Sequence, residues 1–147
     1  MRRFFTLLAL AVVAVGLAAC NQTPSQKTYK AELWAANEVP AVSGPGKGTG
    51  VFTLDPATKQ LSWAVTFSGL SGPATAAHIH GPAAVGANAG VVVPFDNVPK
   101  ATSGEIKGSK VLTDAQIADL DAGKFYVNVH TEANKGGEIR GQLRPGM

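Results

Sequence analysis

Leu61-Ser62-Trp63-Ala64-Val65-Thr66-Phe67 carries a large apolar residue at every second position. In an extended strand successive side chains point to opposite faces, so Leu61, Trp63, Val65 and Phe67 share one side of a sheet. The stretch therefore reads as a half-buried β-strand. Just before it, Asp55-Pro56-Ala57-Thr58 has the composition of a tight turn, which makes Gly50 to Asp55 its partner in a hairpin.

Working outward, further strand candidates recur at regular intervals: Thr28 to Trp34, Thr75 to His80, Gly90 to Phe95, Glu105 to Leu112, Lys124 to Thr131 and Glu138 to Arg144. With Gly50 to Asp55 and Lys59 to Ser68 they make eight, and seventeen glycines and nine prolines mostly punctuate them. Short strands with Gly/Pro-rich connections predict an all-β fold, a Greek-key-like antiparallel β-sandwich or barrel. One short helix is expected near residues 113–122. Thr113 with Gln116 forms a capping box, Leu112 and Ile117 a hydrophobic staple, and Gly123 a stop. Asp114 suits the positive end of that helix. Ile117 and Leu120 are expected to face inward and cover an open end of the sheet, and Trp34 and Trp63 read as core or sheet-face residues.

The amino terminus reads differently. Met1-Arg2-Arg3 is followed by an apolar run from Phe4 to Ala19 and then by the only cysteine, Cys20. This is the pattern of a secretory signal peptide, too short to span a bilayer, which takes about 20 apolar residues. Leu17-Ala18-Ala19-Cys20 resembles the lipobox of bacterial lipoproteins, in which the cysteine is lipidated and becomes the mature amino terminus. The expected organisation is thus a signal peptide over 1–19, a polar tether over 20–27 from a lipidated Cys20, and one β domain over 28–147. It places the protein in the bacterial cell envelope, extracytoplasmic and held to a membrane by lipid. About 128 residues remain, enough for one domain that buries roughly two-thirds of its unfolded surface. With Cys20 as anchor no intramolecular disulfide is possible, and the core alone holds the domain.

Charge narrows the function. The whole chain has 13 Lys and Arg against 10 Asp and Glu, but Arg2 and Arg3 leave with the signal peptide, so eleven bases face ten acids. No basic cluster survives in the remainder, which removes nucleic-acid binding from the candidates.

All three histidines fall in two strand-like segments, Ala77-His78-Ile79-His80-Gly81-Pro82 and Tyr126-Val127-Asn128-Val129-His130-Thr131. His78 and His80 share a face, with Cβ atoms about 6.6 Å apart from twice the strand rise. Phe125, Val127 and Val129 are expected in the core, leaving Tyr126, Asn128 and His130 on an outward, polar face. Two readings fit. In one, His78, His80 and His130 form a single metal site with an open position, suited to copper or zinc. In the other, the first pair hydrogen-bonds across strands or to the following loop and His130 lies on a solvated surface. If Ile139 and Leu143 also face inward, His130 falls opposite Glu138, Asn128 opposite Arg140, and Tyr126 opposite Gln142. Glu138 would then orient the imidazole from behind, with Asn128 and Tyr126 beside it. A solvated Glu138/Arg140 ladder is the plainer reading of the same pairing.

His78-Ile79-His80-Gly81-Pro82-Ala83, the Gly-rich stretch through Gly90-Val91-Val92, and Tyr126 to Thr131 running on through Gly136-Gly137-Glu138-Ile139-Arg140-Gly141-Gln142-Leu143 resemble the CHRD domain, found repeatedly in chordin and singly in many bacterial secreted proteins. The likeness covers roughly Tyr29 to Arg144, with one departure at Lys135, where the pattern has proline before the paired glycines. It implies an all-β extracytoplasmic module. A His-x-His strand followed by a Gly-rich loop is also similar, at the level of fold, to copper-zinc superoxide dismutase. That enzyme's dinuclear site needs more than three histidines, so dismutation is set aside.

Other motifs carry less. Gly81 to Gly90 is not followed by the Lys-Ser or Lys-Thr pair of a phosphate cradle, and Ser68-Gly69-Leu70-Ser71-Gly72 lacks the spacing of a nucleophile elbow. The carboxylates are scattered, and a lipidated Cys20 is no thiol nucleophile. The sequence is therefore read as a membrane-anchored module that binds an extracytoplasmic protein or ligand. The alternative is a mononuclear copper or zinc protein for redox or metal handling, in which any chemistry would come from the metal.

Overall fold

Alternating burial is plain in β1 (Lys27–Trp34), with Tyr29, Ala31 and Leu33 buried and Lys30, Glu32 and Trp34 exposed. A computed structural model describes residues 25–146. The expected signal peptide, Cys20 and most of the expected tether lie outside the described residues. The strands that follow are β2 (Lys47–Asp55), β3 (Gln60–Ser68), β4 (Ala74–His80), β5 (Val91–Pro94), β6 (Gly104–Val111), β7 (Tyr126–Thr131), β8 (Ile139–Gln142) and a two-residue β9 (Arg144–Pro145). All pair antiparallel in the order β5-β4-β7-β8-β1-β2-β3-β6, with β9 beside β1. Chain neighbours pair in β1-β2-β3, β4-β5 and β7-β8. The pairs β1-β8, β3-β6 and β4-β7 join distant segments in Greek-key fashion.

The expected β2-β3 hairpin forms, with Asp55 opposite Gln60 and Phe52 opposite Trp63. Its turn is closed by the Asp55 carboxylate, which accepts from the backbone N–H groups of Ala57 and Thr58 at 2.8 and 3.3 Å. Those donors hold its carboxyl below the usual range.

The sheet curls into a nearly closed barrel around Leu33, Phe52, Leu54, Leu61, Val65, Ile79, Ile106, Val127 and Val129, each no more than 1 % exposed. Burying each such side chain contributes about 1.5–3 kcal/mol. β5 and β6 are the two edges. Across the gap between them Trp63 stacks on Phe95, ring centroids 4.6 Å apart at 17°. Trp63 is thus a core residue, whereas Trp34 lies on the outer face, 47 % exposed.

The helix, α1 (Asp114–Asp121), carries the expected capping box: Thr113 Oγ1 accepts from Gln116 N–H, and Gln116 Oε1 accepts from Thr113 N–H. Leu120 is fully buried and Ile117 packs partly against the core. Asp121 bonds the Tyr29 hydroxyl and pairs with Lys27, fastening the helix to β1.

A buried three-histidine cluster

The β4-β7 ladder brings the histidines together. His80 lies opposite Tyr126, His78 opposite Asn128, and Ala76 opposite His130. Because Ala76 has almost no side chain, the His78 ring can lean diagonally toward His130. Its Nδ1 is 2.9 Å from His130 Nε2. Ring centroids are 4.8 Å apart for His78 and His130, 5.4 Å for His78 and His80, and 6.1 Å for His80 and His130. One ring nitrogen from each of the three lies within 4.8 Å of the others.

Hydrogen bonds assign the tautomers. His80 Nδ1 is 3.0 Å from the carbonyl oxygen of Ala89, and His130 Nδ1 is 2.9 Å from that of Lys135. A carbonyl only accepts, so both Nδ1 atoms carry the proton and both Nε2 atoms present a lone pair. His130 Nε2 accepts from His78 Nδ1. His80 Nε2 is buried and has no hydrogen-bond partner among the described residues.

Burial, and then the neighbouring His130 and His80, push the His78 imidazole down to about 4. Burial likewise lowers His130, opposed by its bond to the Lys135 carbonyl and reinforced by His80. At neutral pH His78 and His130 are uncharged, which is the form that ligates metal.

The face bearing these rings is polar as expected, but it is not solvated. Tyr126 and Asn128 are each 2 % exposed, His130 7 % and Arg140 2 %. The segment between β4 and β5 lies over them. Tyr126 stacks on His80 at 4.9 Å and 4°, and the Arg140 guanidinium sits 3.4 Å from the centroid of the Tyr126 ring. Arg140 also donates to Asn88 Oδ1 at 2.8 Å and to the Ala87 carbonyl. The Tyr126 hydroxyl accepts from Ala89 N–H at 3.2 Å. Arg140, Tyr126 and His80 thus clasp Ala87, Asn88 and Ala89 as a cover. The Gly/Ala richness of Gly81 to Gly90 is the sequence signal for it, since only small residues lie this flat on a sheet face.

The expected role of Glu138 is corrected. Tyr126 pairs with Gln142 and Asn128 with Arg140, but the ladder ends at Val129 and Ile139. Gly137, at φ +133°, turns the chain there, and a Cβ at this position would sit 2.2 Å from Glu38 Oε1. The Glu138 carboxylate instead accepts from Ser71 N–H and Oγ, Thr131 Oγ1 and Asn134 Nδ2 at 2.5, 2.6, 2.6 and 3.1 Å. Burial works against its charge, yet those donors hold the carboxyl below its usual range. The group that orients His130 is the Lys135 carbonyl. Asn128 Nδ2 donates to the Gly136 carbonyl at 3.2 Å, bracing the same loop.

The family model of the CHRD domain matches residues 29–143. The chain belongs to the CHRD family. The matched span holds all three histidines, the cover and Arg140, so this cluster lies wholly inside the CHRD domain. No curated protein and no solved structure matches the chain.

Bonds of about 2.0–2.1 Å to a metal put two nitrogens 2.9 Å apart at about 90°, whereas a tetrahedral site separates them by about 3.3 Å. The widest separation, 4.8 Å, exceeds what two such bonds span even in line, about 4.1 Å. Taking up an ion therefore means a ring movement of roughly 1 Å, with the His78–His130 hydrogen bond given up for metal ligation.

Proposed function

We propose that this CHRD domain is a membrane-anchored extracytoplasmic binding module whose working part is a site for one copper or zinc ion held by His78, His80 and His130. One observation carries the reading: His80 Nε2 is buried without a partner and belongs to a group of three imidazole nitrogens within 4.8 Å. A buried acceptor with nothing to accept costs about 1–3 kcal/mol, and an ion removes that cost. The donor set is three neutral nitrogens without a carboxylate, which favours copper or zinc over magnesium or calcium. Tyr126, against the His80 ring, and Asn128, bracing the loop behind His130, support the ligands; Glu138 acts one step further out by fixing Thr131 and Asn134. Three ligands leave a position open for water or an external ligand, through which the ion would supply any chemistry.

The anchoring half of the proposal is supported by the Leu17-Ala18-Ala19-Cys20 motif. Replacing Cys20→Ala should move the protein from the membrane fraction to the soluble one. For the metal, the chain without its signal peptide is titrated with Cu²⁺ and with Zn²⁺. Uptake of one equivalent, abolished in His80→Ala, is the expected result. No uptake, or uptake unchanged by that substitution, would leave a binding module without a metal.

A further inference from the structure

A second feature, on the outer face of β1, is independent of the histidines. Lys30 on β1 and Arg144 on β9 are direct cross-strand partners, both exposed. Like charges placed opposite each other repel, and a pair of this kind is normally relieved by a carboxylate. Neither residue forms an ion pair among the described residues. A third cation, the buried Arg140, likewise without an ion pair among the described residues, lines the same hollow of ≈ 600 Å³. That volume lies in the range of small-molecule sites.

Two acids also line it, Glu32 and Glu38. Glu38 is 6 % exposed, and its Oε1 is buried, turned toward Gly137 and away from the opening. Burial drives its carboxyl up to about 7, against the pull of Arg140, so near neutrality it offsets only part of a positive charge. Glu32 cancels one cation and leaves an excess of one to two positive charges. The uncharged lining includes the polar Asn37 and Gln142 and an apolar part formed by Ala36, Val39 and Val85, the last 66 % exposed.

We propose that this hollow binds a phosphate-bearing organic ligand, its phosphoryl oxygens between Lys30 and Arg144 and its body against Val39 and Val85. The charge excess calls for an anion, the facing pair of cations for one carrying two acceptor oxygens, and the apolar part of the lining at Val39 and Val85 for a carbon skeleton. A soluble phosphomonoester and a phospholipid headgroup both offer that chemistry.

The test uses the Cys20→Ser chain without residues 1–19, in EDTA, so that its result does not depend on any metal. Glycerol 1-phosphate is titrated against the ¹⁵N-labelled chain, and in parallel the chain is sedimented with phosphatidylglycerol or phosphatidylcholine vesicles. Saturable shifts of β1 and β9 amides are expected, weakened about tenfold in Lys30→Gln and in Arg144→Gln and strengthened in Glu32→Gln. Sedimentation with phosphatidylglycerol alone, lost in the same variants, supports the proposal with a lipid headgroup as the source. These exposed substitutions leave the core untouched, and the spectra verify folding. Failure of both probes to saturate, or binding that survives in the Lys30→Gln/Arg144→Gln double variant, overturns it.

Discussion

The outer face of β2-β3 and the outer face of β7-β8 follow the same alternation and end in opposite conditions. On the first, Thr49 and Thr66 stand opposite each other and share a hydroxyl–hydroxyl bond of 2.9 Å in the open. On the second, Tyr126, Asn128, His130 and Arg140 are equally outward by register and almost wholly buried. The difference is the cover of Ala87, Asn88 and Ala89. Under a cover water no longer satisfies polar atoms, so each must find a protein partner or a ligand. Most do; among the described residues His80 Nε2 and Asn128 Oδ1 do not, and of the two only the His80 nitrogen is a metal-ligating atom.

The largest expected effect breaks the contrast at the clasp. Arg140→Ala removes the cation from the Tyr126 ring, strips Asn88 Oδ1 and the Ala87 carbonyl of their donor, and leaves the Glu38 carboxyl without its nearby positive charge. A loss on the order of 3 kcal/mol is expected, read from the midpoint of urea unfolding. If the cover holds the buried face, backbone amides from Ala87 to Ala89 also lose protection from hydrogen exchange in this variant. A loss of less than about 0.5 kcal/mol would mean that the cover contributes nothing.

Next in size is the ion. A ligand that binds only the folded state at a free concentration of 100 times Kd adds about 2.7 kcal/mol. Cu²⁺ or Zn²⁺ should therefore raise the unfolding midpoint of the chain, EDTA should reverse it, and His80→Ala should show neither effect. No metal should produce a comparable shift through the Thr49–Thr66 face, which has no lone pair without access to water.

Acid separates the two faces as well. In the unfolded chain His78 takes up its proton near 6.5, in the fold only near 4, and His130 is lowered in the same direction. Between those values the unfolded chain binds more protons, so this contribution is complete above about 6.5 and is lost as pH falls. Glu38 works the other way: its folded value near 7 lies above the unfolded 4.5, so its contribution is present below 4.5 and is lost as pH rises through 7. The two slopes oppose each other in the native chain. Glu38→Gln exposes the histidine term, and stability in that variant should fall between pH 6.5 and 4.5 by on the order of 2 kcal/mol, allowing for the partial exposure of His78. A flat profile in Glu38→Gln would place the histidines in water.

What the sequence made legible divides along the same line. Local patterns made legible the strands to within a few residues at either end, the β2-β3 pairing, the capped helix and the face on which each histidine lies, because side-chain alternation and capping are local properties. Burial of the polar face was not legible. It depends on Gly81 to Gly90, whose small residues carry no period, and on a guanidinium whose place over Tyr126 follows from tertiary packing. The position of Glu138 escaped for a related reason. Strand parity carried on past Ile139 sets it against His130, but at Gly137 the backbone adopts a conformation that favours glycine and parity ends. The carboxylate then turns to Ser71, a residue 67 positions away that no local pattern connects to it.

The smallest effect is the control that gives the others meaning. Thr66→Ala removes one partner of the exposed hydroxyl pair on β3 and a long 3.5 Å contact to the Thr49 carbonyl, both in the open, because its neighbours across the strands, Thr49 and Glu105, lie on the same open side. Water takes the place of the lost hydroxyl, so the change should stay within about 0.5 kcal/mol in urea unfolding, with metal uptake and acid profile unaltered. Both Thr66 and Arg140 read as outward polar residues of a strand, and composition alone ranks them alike. A loss from Thr66→Ala comparable to that from Arg140→Ala would show that the cover is not what distinguishes the two faces, and the orphaned nitrogen of His80 would then need a cause other than enclosure.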